Sequence, residues 1–133
     1  MTLRLSVVLP NYNHAALLPR SLSALAAQQR PADEVVLVDD ASTDDSLAVV
    51  QRFAPRLPGL RVVALARNGG AAAAIARGLA EVTGELVYLA AADDVACPLL
   101  FARAGDALAA HPAAALAAGE AVLRDAGGRV MAL

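Results

Sequence analysis

The chain has 133 residues, of which 58% are apolar and 3% are aromatic, and its formal net charge is -2. This length supports one domain with its own core, and the nearly balanced charge gives no reason to expect a polyanionic partner such as a nucleic acid. All 11 basic residues are arginine, which excludes the lysine-dependent P-loop and lysine Schiff-base chemistry.

Strands and helices alternate along the first 110 residues. In chain order, the pattern predicts strands at residues 3–9, 34–38, 60–65 and 85–89, and helices at 17–29, 42–53, 70–82 and 98–110. Pro10 is expected to end the first strand because proline cannot supply a ladder N–H. The second helix is expected to bury Leu47, Val50 and Phe53. This alternation is typical of βαβ units and a parallel sheet.

The chain after residue 110 has a different pattern. His111 and Pro112 end the last predicted helix, and residues 113–123 form an apolar run without a clear period. Residues 125–128 are typical of a hairpin turn, which would lead into a last strand at 129–133.

Cys97 is the only cysteine, so no intrachain disulfide can form and a reducing compartment is favoured. The N-terminus lacks the pattern of a secretory signal, and no span approaches the run of about 18 apolar residues that marks a transmembrane helix. We therefore predict a cytoplasmic protein. Cys97, His14 and His111 show no pattern that suggests catalysis, and we interpret them as structural.

Polar residues follow each of the four predicted strands directly. They are residues 10–14, the pair Asp39 and Asp40, residues 67–70, and the pair Asp93 and Asp94. The carboxyl ends of parallel strands lie along one edge of a sheet, where open α/β sheets bind ligands. The sequence therefore predicts a ligand site at this edge.

The acidic pair Asp93 and Asp94 has two interpretations. Adjacent carboxylates repel one another, and a hard divalent ion relieves this repulsion while keeping waters and substrate phosphates as further ligands. Alternatively, one of the two caps the helix that begins near Pro98 or shapes the loop before it.

The other strand ends also leave alternatives open. Asp39 or Asp40 can accept a hydrogen bond from a base N–H or a ribose hydroxyl, whereas Asp44 is fully explained as a helix cap. Tyr12 can stack on a base or cover the first helix as a rim residue. Gly69 and Gly70 can present N–H groups to an anion or form a simple turn.

Taken together, these segments resemble the family 2 glycosyltransferases of the GT-A fold. The matching segments, in order, are residues 6–13, 34–44, 68–70, 77–79, 83–85 and 92–94, followed by Pro98. The resemblance covers nearly the whole chain. It implies an α/β, Rossmann-like fold with a mostly parallel sheet sandwiched by helices. Residues 1–133 would then be a single donor-binding domain, incomplete after the half that carries the metal motif.

The resemblance also implies roles for the matching residues. The donor would be a nucleotide-diphospho-sugar, with UDP as the expected nucleotide, and the sugar would pass to an acceptor hydroxyl with inversion. The nucleotide-binding residues would be Pro10, Asn11, Tyr12, Asp40, Asn68, Gly70 and Asp93, and Asp94 would hold a divalent metal, Mn²⁺ or Mg²⁺. Asp40 would hydrogen-bond the base, and Asp93 would approach the ribose or the sugar.

Two positions depart from the family pattern. Many relatives carry an aspartate where this chain has Ala91, and an asparagine where it has Ala76. The segment after Asp94 is also too short to hold the family's general base and acceptor site, so the catalytic base is unknown. We therefore predict that the chain binds donor but transfers sugar poorly or not at all alone.

The implied partners are a nucleotide-sugar donor and a glycan or lipid-linked acceptor. Bacterial relatives build cell-surface polysaccharide, which implies peripheral association with the inner face of the membrane. The alternative is an inactive nucleotide-binding or protein-interaction remnant of the same fold. A response-regulator receiver is excluded because the chain lacks lysine, and a nucleotidyltransferase because the loop after the first strand is not glycine-rich.

Overall fold

The computed structural model describes residues 3–131. In chain order its elements are β1 (Leu5–Asn11), α1 (Leu18–Ala26), β2 (Glu34–Asp39), α2 (Ser46–Phe53), a 3-10 turn (Ala54–Arg56), β3 (Leu60–Ala64), α3 (Ala71–Glu81), β4 (Leu86–Leu89) and α4 (Leu100–Ala110). The predicted alternation of strands and helices is confirmed, although several element ends differ by a few residues.

The four strands form one sheet in the order β3-β2-β1-β4, and every pair is parallel. β1, the first strand in the chain, therefore lies between β2 and β4. Because all the strands run in one direction, their carboxyl ends share one edge of the sheet. The predicted α/β class with a parallel sheet is confirmed.

Helices cover both faces of the sheet. α1, α2 and α4 pack on one face, where Leu9 of β1, Leu22 of α1 and Phe101 of α4 belong to one buried cluster. α3 covers the other face, where Ala74 packs against Val36 of β2. Within residues 3–131, each helix is too short or too polar to cross a bilayer.

β1 continues through Pro10 to Asn11, so the prediction that Pro10 ends the strand is wrong. The backbone groups of a strand alternate between its two sides. The Val8 carbonyl accepts the Ala90 N–H on the β4 side, whereas the Asn11 carbonyl accepts the Asp40 N–H on the β2 side. The Pro10 nitrogen faces β4, as the backbone groups of Val8 do, but the pairing of β1 with β4 ends at Val8. The missing N–H therefore breaks no ladder hydrogen bond.

The buried stripe of α2 differs from the predicted one. Val50 is buried and Phe53 is partly buried, as expected, but Leu47 is 37% exposed. The helix begins at the buried Ser46, and the residues three and four positions later, Val49 and Val50, lie on the same inner face. Val49 lies on that stripe and is buried, and Leu47 lies beside it.

The segment after α4 packs loosely. The Gly128 N–H donates to the Asp125 carbonyl, which confirms the hairpin turn. The predicted last strand is reduced to a single antiparallel bridge between Arg124 and Val130 within the described residues, and residues 132–133 lie outside them. A two-stranded hairpin with exposed faces has too little burial to extend its pairing.

Glu34 is a buried charge at the amino edge of the sheet, opposite the predicted site. Its Oε1 accepts the Ser6 hydroxyl at 2.6 Å and the Thr83 N–H at 2.6 Å, and its Oε2 accepts Arg61 Nη2 at 3.2 Å. Burial alone would raise the pKa of Glu34, but the hydrogen bonds from Ser6, Thr83 and Arg61 outweigh it and lower the pKa to about 2. Glu34, the first residue of β2, therefore ties β1, β3 and the segment between α3 and β4 together.

Gly78 marks a close approach of α3 to the sheet. A methyl group there would overlap Val8 Cγ1 and lie 3.2 Å from Val38 Cγ2. We expect Gly78→Ala to lower the free energy of unfolding, because overpacking costs about 1–3 kcal/mol and better helix propensity returns only about 1 kcal/mol. Urea unfolding measures the change. Gly119→Ala is the control, since a methyl group at Gly119 meets no atom within 4 Å. Equal or greater stability of Gly78→Ala would contradict this packing.

Candidate functional site

The carboxyl edge of the sheet collects polar residues that follow three adjacent strands. Tyr12 follows β1 and is 44% exposed, and Asp40 follows β2 and is buried. Asp93 and Asp94 lie in the segment after β4, and both are exposed. Acidic groups and an aromatic ring thus share one edge, as the order of strands and polar residues predicts.

Asp40 joins the end of β2 to the start of α3. Its Oδ1 accepts the Gly69 N–H and its Oδ2 accepts the Gly70 N–H, both at 2.8 Å. The anion at the N-terminus of α3 is therefore a carboxylate of the chain itself, a pairing that suits the helix dipole. A carboxylate has about four acceptor positions, so each oxygen of Asp40 keeps a lone pair.

Asn11 joins the ends of β1 and β2 below the exposed surface. Its Nδ2 donates to Asp39 Oδ1 at 2.9 Å and to Ser42 Oγ at 3.1 Å, and both Asn11 and Asp39 are 2% exposed. The Ser42 hydroxyl also donates to Asp39 at 2.6 Å. Asn11 Oδ1 has no hydrogen-bond partner among residues 3–131. Asn11 and Asp39 therefore fix the relative position of two strand ends.

Asp44 was predicted to cap α2, but the N-cap residue is Asp45, and Asp44 lies one position before it and binds the first N–H of the helix. Its Oδ1 accepts the Ser46 N–H and its Oδ2 accepts the Ala15 N–H, each at 2.9 Å. Burial alone would raise the pKa of Asp44, but these hydrogen bonds and that of the Ser46 hydroxyl lower it. The bond from Ala15 also connects α2 to the segment after β1.

The segment that carries Asp93 and Asp94 is held by α1 and the residues that follow it. The Ser21 hydroxyl donates to the Ala91 carbonyl at 3.1 Å, and Gln28 Nε2 donates to the Cys97 carbonyl at 2.7 Å. Sequence reasoning missed Ser21 and Gln28. The available signal for Ser21 is its place among the leucines of the buried stripe of α1, where a polar side chain needs a partner. Gln28 follows α1 and is also buried, but the sequence pattern does not indicate its partners.

Tyr88 lies on β4 and packs against α4. Its ring meets Phe101 edge-on, with 5.1 Å between the ring centroids. Burial raises the pKa of Tyr88, and the nearby charge of Asp94 raises it further.

The remaining predicted site residues lie around this edge. Pro10 is partly buried within β1, and Asn68 is exposed in the segment before α3. Gly70 caps α3 with a φ of 86°, a value that favours glycine. Of the predicted site residues, hydrogen bonds join Asn11, Asp40 and Gly70.

The two carboxylates after β4 are too few to hold a metal ion by themselves. Within residues 3–131, no three His, Cys, Asp or Glu side chains come together as a ligand set. Mg²⁺ binds through one or two carboxylates and keeps waters and substrate phosphates as its other ligands. Asp93 and Asp94 therefore fit an ion shared with a bound diphosphate, and they do not fit an ion held by protein alone.

Two solved structures match this architecture closely. The chain matches S. aureus TarS in complex with UDP-GlcNAc, with a TM-score of 0.78 and 32% identity over 82% of this chain and 32% of that one. It matches the mannosyltransferase PcManGT from Pyrobaculum calidifontis, in complex with GDP-Man and Mn2+, with a TM-score of 0.75 and 35% identity over 82% of this chain and 33% of that one. The sheet, its helices and the site edge thus define a GT-A glycosyltransferase fold, as the resemblance implied.

The family model described as glycosyl transferase family 2 matches residues 6–126. The chain belongs to this family. Among curated relatives, the undecaprenyl-phosphate 4-deoxy-4-formamido-L-arabinose transferase of Sodalis glossinidius is 43% identical over 95 residues, which are 68% of this chain and 29% of the relative. The chain covers 29% of the Sodalis relative, 32% of the TarS chain, which comprises residues 1–349 of TarS, and 33% of the PcManGT chain.

Proposed function

We propose that this chain binds the nucleotide-sugar donor of a family 2 glycosyltransferase, with UDP as the nucleotide and a divalent metal at the diphosphate. The observation that carries the proposal is the shared edge of Tyr12, Asp40, Asp93 and Asp94 on a parallel sheet. Two matching structures support it, since their descriptions include UDP-GlcNAc in one and GDP-Man with Mn2+ in the other.

The nucleoside would lie across the ends of β1 and β2. Tyr12 offers an exposed ring for stacking on the base, next to Pro10 and the buried Asn11. Asp40 would accept a base N–H through a lone pair that its glycine partners leave free. Asn68 and Gly70 would border the same nucleoside from the start of α3.

The diphosphate would lie toward the end of β4. Asp94 would hold Mn²⁺ or Mg²⁺, and Asp93 would approach the ribose or the sugar. When bound, the ion supplies positive charge to the departing nucleoside diphosphate. We propose that the acceptor hydroxyl attacks from the opposite side of the anomeric carbon, which inverts its configuration.

The acceptor we propose is a glycan or a lipid-linked compound, and the name of the Sodalis relative includes a lipid phosphate, undecaprenyl phosphate. Transfer to such a compound would bring the chain to the inner face of the membrane, in the cytoplasm, for the synthesis of cell-surface polysaccharide. The chain covers about a third of each of the three chains named above, and as one donor-binding domain it would bind donor but transfer little sugar alone.

Calorimetric titration with UDP, and with GDP for comparison, tests this proposal. We expect UDP to bind in Mn²⁺ or Mg²⁺ and to bind about tenfold more weakly in EDTA, a difference of about 1.4 kcal/mol. Asp94→Asn should remove the metal dependence, because the amide loses the charge that attracts the ion. Asp106→Asn, an exposed change on α4, is the control. The absence of nucleotide binding would favour a remnant without a donor site.

A further inference from the structure

Asn13 connects two segments at the site edge. It has a left-handed backbone with a φ of 54°, a conformation that asparagine tolerates better than most residues. Its Oδ1 accepts the Thr43 N–H at 2.7 Å and the Asp44 N–H at 3.3 Å, and its own N–H donates to Ser42 Oγ at 3.0 Å. The segment after β1 is therefore fastened to the segment after β2.

Tyr12 lies between two anchored asparagines. Asn11 precedes it and is bonded to Asp39, and Asn13 follows it and is bonded to Thr43. The backbone of Tyr12 is thus held on both sides, while its ring is 44% exposed. An aromatic ring held in place before the ligand arrives loses less freedom on binding.

We infer that Asn13 is a positioning residue, which sets the place of the Tyr12 ring for stacking on the nucleobase. This inference rests on the proposed function, because it needs a base at Tyr12. Asn13 is exposed and lies outside the core, so its substitution leaves the buried contacts of β1 in place. Its contribution to binding passes through Tyr12 and is therefore specific for ligands that carry a base.

Three variants at two positions test this inference by calorimetry with UDP and Mn²⁺. Asn13→Gly keeps the left-handed backbone and removes the amide, and we expect UDP to bind about fivefold more weakly. Asn13→Asp keeps an oxygen that accepts the N–H groups of Thr43 and Asp44. We therefore expect it to bind UDP nearly as tightly as the parent chain. In the Tyr12→Ala background, Asn13→Gly should have no further effect, because residues that act through one another are not additive.

Inorganic pyrophosphate with Mn²⁺ is the ligand control, since it has no base to stack. Its binding should be unchanged by Asn13→Gly. The inference is overturned if Asn13→Gly weakens pyrophosphate as much as UDP, or if its full effect persists in the Tyr12→Ala background.

A measurement without ligand separates this inference from the proposed function. The chain has two tyrosines, so Tyr88→Phe leaves Tyr12 as the only tyrosine fluorophore. We expect Asn13→Gly to add fast local motion to the fluorescence anisotropy decay of Tyr12, and Asn13→Asp to restrict this motion again. If the parent chain binds neither UDP nor GDP, the proposed function fails and this decay still decides whether Asn13 holds Tyr12. An unchanged decay overturns the inference.

Discussion

Replacing Asp40 with alanine is expected to lower the free energy of unfolding by about 3 kcal/mol. The side chain is buried, and its two oxygens accept the N–H groups of Gly69 and Gly70. Without the carboxylate, both N–H groups lose a charged acceptor, and a hydrogen bond to a charged group contributes about 1.5–3 kcal/mol. Urea unfolding measures the loss, which is a large part of the stability of an ordinary domain.

Amide hydrogen exchange gives an independent readout of the same contact. The Gly69 and Gly70 protons should exchange slowly in the parent chain and quickly in Asp40→Ala. Asp45→Ala is the matched control, because Asp45 is an exposed aspartate that makes no side-chain cap bond to α2. Equal stability of Asp40→Ala and the parent would mean that this carboxylate does not hold the start of α3.

Replacing Glu34 with glutamine is expected to cost about 3 kcal/mol of stability at neutral pH. The pKa of Glu34 falls from 4.5 to about 2 in the folded chain, so folding favours the charged carboxylate. Glutamine cannot carry that charge, and its amide has one oxygen where the carboxylate has two. If that oxygen accepts the Ser6 and Thr83 donors, the amide N–H groups face those of Arg61. Urea unfolding at pH 7 gives the difference, and Glu120→Gln, an exposed change in the tail, is its control.

The sign of this effect fixes its pH dependence. A carboxylate whose pKa is lower in the folded chain than in the unfolded chain stabilises the fold fully above its unfolded pKa, which is 4.5 for Glu34. This stabilisation is lost as the pH falls toward the folded pKa of about 2. The stability difference between the parent and Glu34→Gln should therefore shrink across this window. A difference that is constant from pH 7 to pH 2 would show that the ionised form of Glu34 is not the one that folding favours.

Much of the fold follows from the sequence. Short apolar runs that alternate with helical periods predict the strands and helices, and the parallel sheet follows from that alternation. The sequence also predicts that the site lies at the carboxyl edge of the sheet, because polar residues come directly after the strands. The segments that carry Tyr12 and Asp94 could be located by this pattern alone.

The partners of these residues could not be predicted, because they depend on contacts between distant segments. Gly69 and Gly70 were expected to offer N–H groups to an anion, but the pattern could not identify Asp40 as that anion. Pro10 is tolerated in β1 only because the neighbouring β4 ends first, which depends on register. Glu34 was expected only as the start of a strand, and its bonds to Thr83 depend on the packing of α3.

The position of β1 at the centre of the sheet has a consequence for the order of folding. The bond from the Leu5 N–H to Asp33 spans 28 residues, whereas that from the Arg4 N–H to Glu85 spans 81. Closing the longer loop costs more entropy and is slower, so we expect β4 to join after β1, β2 and β3. Since a chain emerges from the ribosome with its N-terminus first, β1 would spend that interval with one row of backbone groups unpaired. This open row is where pairing with a wrong strand would begin.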